Sequence, residues 1–199
     1  ESTEPAMDAV SDYATWLGDE MRHFSAGPVT LIGHSLGSLI VLEAAANNPD
    51  FVGHLVLIAT SASMPVHHDL MATAEANDPA AAAMVMKWSL TNPAYGRTKG
   101  WVREIEEAFI AAAESGVLAN DFTACNSDDR SAATAARVLC PTLLVLGERD
   151  KMTKPRAAQP LAAALADARI VIIEGGGHML PLENAAAVND TISLFLSTP

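Results

Sequence analysis

Val29-Thr30-Leu31-Ile32-Gly33-His34-Ser35-Leu36-Gly37-Ser38-Leu39-Ile40 opens as a short apolar, β-prone run and continues into a stretch rich in Leu and Ala that closes at Asn47-Asn48-Pro49. Between the two stands a serine flanked by glycines two residues to either side. A β-prone run of four residues that stops at a glycine reads as a buried strand, and the Leu/Ala stretch from Ser38 to Asn47 with its Pro stop reads as a helix. A serine on so sharp a strand-to-helix turn needs small residues before and after it, and Gly33 and Gly37 supply them. G-x-S-x-G alone is only suggestive. In this context it places the Ser35 hydroxyl at the carboxyl end of a sheet, with flanking amides at a helix N-terminus.

Upstream of this turn, Val10, Tyr13, Leu17, Met21 and Phe24 recur three or four apart, which predicts an amphipathic helix over Ala6 to Phe24 ended by Gly27-Pro28. Downstream, His54 to Thr60 is a second apolar run, the mark of a strand buried on both faces of a parallel sheet. The alternation returns late in the chain. A strand is expected within Leu139 to Leu146, a helix over Pro155 to Leu165, a strand over Arg169 to Ile173 and a closing helix over Ala185 to Leu196. Strands separated by single helices specify an α/β fold with a parallel sheet and flanking helices.

The stretch from Ser63 to Arg137 breaks the rhythm, being rich in Ala and Met, helical in period and without a convincing strand. It reads as a helical insertion at residues 63–137 into a core formed by residues 1–62 and 138–199. Whether it only packs or lies as a lid over a pocket is left open at this point. The same holds for Met64, Met71, Met84, Met86 and Trp88, which suit either an apolar substrate pocket or a core.

A serine hydroxyl is a weak nucleophile at neutral pH and needs a base and an orienting carboxylate. His178, in Gly175-Gly176-Gly177-His178-Met179 directly after the last expected strand, is the candidate base. The other five histidines read as surface or packing residues: His34 belongs to the turn, His54 opens a strand, His67 and His68 lie in the insertion, and His23 ends a helix. Asp150 in Gly147-Glu148-Arg149-Asp150 follows an apolar strand and is favoured over Glu148 as the acid. An aspartate after a strand is commonly a turn former or cap, and its company with Ser35 and His178 gives it the second reading. The chain order is nucleophile, acid, histidine.

Composition narrows the classes. At 199 residues and 50% hydrophobic content the chain can bury a substantial core, and a net charge of −12 with no basic cluster argues against nucleic acid and anionic membrane surfaces. Cys125 and Cys140 lie far apart and away from any histidine pair at ligand spacing, so neither a metal site nor a disulfide framework is indicated. No apolar run approaches the ~18 residues of a membrane helix. A soluble, cytoplasmic protein is expected, though Glu1 in place of an initiating Met leaves room for an upstream piece.

Gly-His-Ser-Leu-Gly, Pro141-Thr-Leu-Leu-Val-Leu-Gly-Glu-Arg-Asp150 and Gly175-Gly-Gly-His-Met-Leu-Pro-Leu-Glu183 together resemble the α/β-hydrolase superfamily along the whole chain, most of all its capped bacterial serine esterases. The resemblance implies a catalytic triad of Ser35, Asp150 and His178, an elbow of Gly33, His34 and Gly37, the Leu36 amide as one oxyanion donor, no metal or other cofactor, and a helical cap. Aspartate stands in the place of Ser35 in the similar epoxide hydrolases and haloalkane dehalogenases, which argues against those activities. The implied reaction is hydrolysis of a small, largely apolar carboxylic ester through an acyl-enzyme. A C–C bond hydrolase, a lactonase and a cofactor-free perhydrolase use the same three residues, and a non-catalytic binding protein or an inactive fragment could keep the fold. The sequence departs from the family in two places. Nothing precedes the helix leading to the elbow strand, so the N-terminal strands and the loop giving a second oxyanion donor are expected to be missing and Val29 to Ile32 to be a bare edge. Ser38 also stands where many relatives have glycine.

Overall fold

The computed structural model describes residues 7–92 and 100–197. Four strands form one parallel sheet in the order β1 (Val29–His34), β2 (Val52–Ile58), β3 (Thr142–Gly147) and β4 (Ala168–Ile173). Register runs Gly33 beside Leu57, Leu57 beside Leu144, and Leu144 beside Ile170, so all four carboxyl ends point the same way. Helix α1 (Val10–Phe24) leads into β1 and α2 (Leu36–Asn47) leaves it. After β3 come a 3₁₀ turn (Pro155–Ala158) and α8 (Gln159–Ala164), and after β4 come α9 (Leu180–Glu183) and α10 (Ala185–Ser197). The expected α/β class with flanking helices is the one observed.

Between β2 and β3 lie α3 (His68–Glu75), α4 (Ala80–Ser89), α5 (Gly100–Glu114), α6 (Val117–Ser127) and α7 (Ser131–Ala135), with no strand among the described residues. Boundaries differ from expectation by a few residues. Helix α1 begins at Val10 rather than Ala6, which falls outside the described residues, and β1 continues to His34 because Gly33 and His34 pair with Leu57 and Ile58 of β2. The segment expected as one helix from Pro155 starts as a 3₁₀ turn, since Pro160 has no amide to donate to the carbonyl of Arg156 as an α-helix continued from Pro155 would require.

The sheet is packed on both faces. Leu55, Leu57, Leu144 and Leu146 meet α1, α2 and α8 on one side, while Val56, Ile58, Leu143 and Val145 meet α10 through Val188 and Phe195 on the other. Strand β3 is buried along its whole length, as its continuous apolar sequence demands. Strand β1 is an edge of this sheet and exposes half of Ile32. A separate cluster of Leu70, Ala74, Ala81, Val85, Ala113 and Leu118 holds α3 to α6 together. No described helix is long and apolar enough to cross a membrane.

Candidate active site

The turn after β1 is built by one glycine more than by two. A Cβ at Gly33 would lie 2.2 Å from the Gly37 carbonyl oxygen and 2.6 Å from Val41, so no other residue fits there. Gly37, expected to be small for the same reason, faces open space among the described residues. Ser35 takes φ +54° and ψ −124°, a strained backbone for a residue with a side chain, and such strain persists only where surroundings over-determine it. Here the Ser35 amide donates to Ile58 O at 3.0 Å and its carbonyl accepts from the Ser38 amide at 2.8 Å. Ser38, which stands where many relatives have glycine, is fully buried, and its hydroxyl reaches the Ser35 carbonyl at 2.5 Å and Thr60 Oγ1 at 2.8 Å. The hydroxyl therefore braces the turn without loosening the helix.

Ser35 Oγ lies 2.9 Å from His178 Nε2, and His178 Nδ1 lies 2.9 Å from Asp150 Oδ2. The three residues singled out in the sequence are thus joined in one hydrogen-bonded line, with His178 and Asp150 buried. Glu148 is turned away and accepts from the Gly175 amide at 2.8 Å. Asp150 is also a turn former, its Oδ1 accepting from the amides of Met152 at 2.8 Å and Thr153 at 2.9 Å, so both readings of this residue hold together. Burial by itself would raise its carboxyl; the hydrogen bond and charge of His178 and the bonds from Thr153 outweigh that and hold it below the ordinary aspartate value.

Thr153, which the sequence did not single out, completes this corner. Its hydroxyl donates to Asp150 Oδ2 at 2.6 Å, with the Ala59 carbonyl at 2.9 Å as the alternative acceptor, and its oxygen sits 3.2 Å from His178 Nδ1. His34 also does more than fill the turn. Its Nε2 donates to the His178 carbonyl at 2.7 Å, fixing the tautomer, and burial followed by the nearby His178 charge pushes its pKa down to about 4. A neutral His34 thereby holds the backbone of the residue whose side chain meets Ser35.

The histidine loop is locked from two sides. A Cβ at Gly147 would lie 2.3 Å from Gly177 O, and one at Gly177 would lie 2.4 Å from Thr91 Cγ2, so β3, the loop and the end of α4 interlock through glycines. The Ser89 carbonyl accepts from the His178 amide at 3.2 Å, and Glu183 Oε1 accepts from the Thr91 amide at 2.9 Å and hydroxyl at 2.6 Å. Glu183 Oε2 and Ser89 Oγ are buried with no hydrogen-bond partner among the described residues.

Above Ser35 opens a cavity of about 510 Å³. Its walls come from the strand-end loops (His34, Leu36, Lys151, Met152, Thr153, His178 and Met179) and from the segment between β2 and β3 (among others Met64, Leu70, Val85, Trp88, Phe109, Leu118, Phe122 and Cys125). Of the residues expected either in a pocket or in a core, Met64 and Trp88 line the cavity. Met84 and Met86 instead pack among the helices, and Met71 does not reach the cavity. Cys125 is buried, which pushes its thiol up to about 12, with the charges of Asp121 and Asp128 adding to the shift. The Leu36 amide opens α2, where the first amides of a helix have no intrahelical acceptor. His67, His68 and Asp69 form the one described cluster with metal-ligand spacing; they are exposed, with the Asp69 carboxylate 3.0 Å from His68 Nε2 and 3.6 Å from His67 Nδ1.

Comparison with known proteins agrees with this architecture. The chain is 23% identical to an (E)-2-((N-methylformamido)methylene)succinate hydrolase of Acinetobacter baylyi, covering 100% of this chain and 76% of that protein. It is 28% identical to a pimeloyl-[acyl-carrier protein] methyl ester esterase of Neisseria meningitidis over 80% of its own length, and spans about half (54%) of that relative. Among solved structures, the enol-lactonase of Burkholderia xenovorans superposes with a TM-score of 0.88 at 22% identity, over 99% of this chain and 76% of the other. The model of the alpha/beta hydrolase family matches residues 1–191, and the chain belongs to that family.

Proposed function

We propose that the protein is a serine hydrolase that cleaves a small, largely apolar carboxylic ester through an acyl-enzyme, with the segment from 63 to 137 as a cap over the site. The observation that carries this reading is the unbroken line from Ser35 Oγ through His178 to Asp150 at the floor of a largely apolar cavity. His178 Nε2 takes the proton of Ser35 as its oxygen attacks the ester carbonyl, and Asp150 stabilises the imidazolium through Nδ1. The Leu36 amide supports the oxyanion, because a helix N-terminus presents free donors where negative charge develops. The imidazolium then protonates the departing alcohol. Water, activated by the same nitrogen, releases the acid and restores Ser35.

The names of the esterase and lactonase relatives agree with acyl transfer. Cleavage of a C–C bond and perhydrolysis draw on the same three residues, and no feature of the cavity favours either over an ester. The test is hydrolysis of p-nitrophenyl butyrate beside Ser35→Ala, together with fluorophosphonate labelling. Loss of the nucleophile is expected to lower kcat by about 10³-fold or more and to abolish labelling. Equal rates in the two proteins, or no turnover and no labelling of the native one, would sink this reading.

A further inference from the structure

One wall of the cavity carries a charge that cleaving a plain apolar ester does not require. Asp121, on α6, lines the cavity and is half-buried. Its Oδ1 accepts the Tyr13 hydroxyl at 2.7 Å, and no other hydrogen bond and no ion pair reaches the carboxylate among the described residues. Burial, then the bond to Asp121, pushes the Tyr13 phenol well above its ordinary pKa, so the phenol keeps its proton and donates it. A carboxylate among apolar groups without a counter-charge is costly to maintain. Lys151, the one Lys or Arg of the described residues on the cavity wall, is exposed beside Asp150 and forms no ion pair with Asp121.

Alongside aliphatic and methionine side chains, three aromatic rings share the cavity with Asp121: Trp88 from α4, Phe109 from α5 and Phe122 from α6. Aromatic faces attract cations, most strongly when water is excluded, and poorly hydrated quaternary ammonium groups lose least on entering such a site. A carboxylate with no counter-charge among the described residues and three aromatic rings in one cavity therefore share a preference for the same ligand chemistry. A net charge of −12 adds to it by enriching cations around the molecule.

We propose that the cavity takes esters carrying a quaternary or similarly bulky ammonium group, with Asp121 as the specificity-determining residue that receives the cation against Trp88, Phe109 and Phe122. This rests on the ester-hydrolase reading and narrows it. The test uses two pairs of esters in which a cationic nitrogen replaces a carbon: butyrylcholine against 3,3-dimethylbutyl butyrate, and p-nitrophenyl 4-(trimethylammonio)butyrate against p-nitrophenyl 5,5-dimethylhexanoate. The first pair carries the charge on the alcohol side, the second on the acyl side. In at least one pair kcat/KM is expected to be about tenfold higher for the cation, and Asp121→Asn to bring that ratio close to one. The ratio is internal to each protein preparation, so partial unfolding of a variant does not imitate the effect. Should Asp121→Asn fail to fold, Trp88→Leu is read the same way. Ratios at or below one in both pairs of the native protein overturn the proposal, as does a ratio that survives both substitutions. If no ester is cleaved, the ester-hydrolase reading has failed by itself, and the cation site is then read by calorimetry with tetramethylammonium. Binding that weakens in Asp121→Asn upholds the site, and absence of binding to the native protein overturns it.

Discussion

At the scale of the residue, His34 joins chemistry to stability. Its pKa in the fold is pushed down to about 4 by burial and by His178, against an ordinary value of 6.5 in the unfolded chain. Between those two values the unfolded state binds the extra proton, so stability rises with pH from 4 to 6.5 and is lost as pH falls through this window. The slope from one such group reaches at most about 1.4 kcal/mol per pH unit. His34→Gln keeps an N–H donor for the His178 carbonyl but cannot titrate. Urea midpoints measured at pH 7 and pH 4.5 are expected to fall less in this variant than in the native chain, and equal falls would remove His34 from the account. The role of His34 was hidden in the sequence because its partner is a backbone carbonyl 144 positions away. Thr153 was hidden for a similar reason: nothing in Lys151-Met152-Thr153-Lys154 marks a hydroxyl that serves Asp150, Ala59 and His178 together.

At the scale of the element, α9 and the end of α4 act on the histidine loop as a clamp. Glu183 accepts two hydrogen bonds from Thr91, and Ser89 accepts the His178 amide, so the loop's position depends on a helix of the intervening segment. Glu183→Ala would leave the Thr91 amide and hydroxyl unpaired, at a cost of about 1–3 kcal/mol in stability. It is expected to lower kcat while leaving KM nearly unchanged, because the imidazole and not the cavity wall is displaced. Glu183→Gln, which retains an acceptor, is expected to restore most of kcat; a parallel fall in kcat and rise in KM would point to general loosening instead. Glu183 stood within a quoted motif, yet its partner lies 92 positions earlier and could not be inferred from it. The central strands β2 and β3 were legible because burial on both faces writes a continuous apolar run. The methionines of the helical segment were not, since helical period identifies a face but not whether that face meets a cavity or another helix.

At the scale of the whole molecule, charge acts on encounter. With −12 net charges the chain attracts cations over a distance set by salt, from about 30 Å at 0.01 M to about 8 Å at 0.15 M ionic strength. For a cationic ester kcat/KM is therefore expected to fall several-fold across that range, while its neutral isostere stays level. Identical salt profiles for the two esters would separate the net charge from substrate capture. That Ser35, Asp150 and His178 meet was legible at this scale too, because parallel strands bring their carboxyl ends to one edge of the sheet, and each of the three stands just after a strand.

The contact between Ser35 and His178 spans 143 positions of chain. During synthesis the serine leaves the ribosome first, and at about 5–20 residues per second the histidine follows roughly 7–30 s later. Throughout that interval the hydroxyl is an ordinary alcohol, since the imidazole that the proposed mechanism requires has not yet been made. Under the proposed mechanism the nascent chain is chemically dormant toward esters, and reactivity arrives only after β4 has been made and the loop after it has docked.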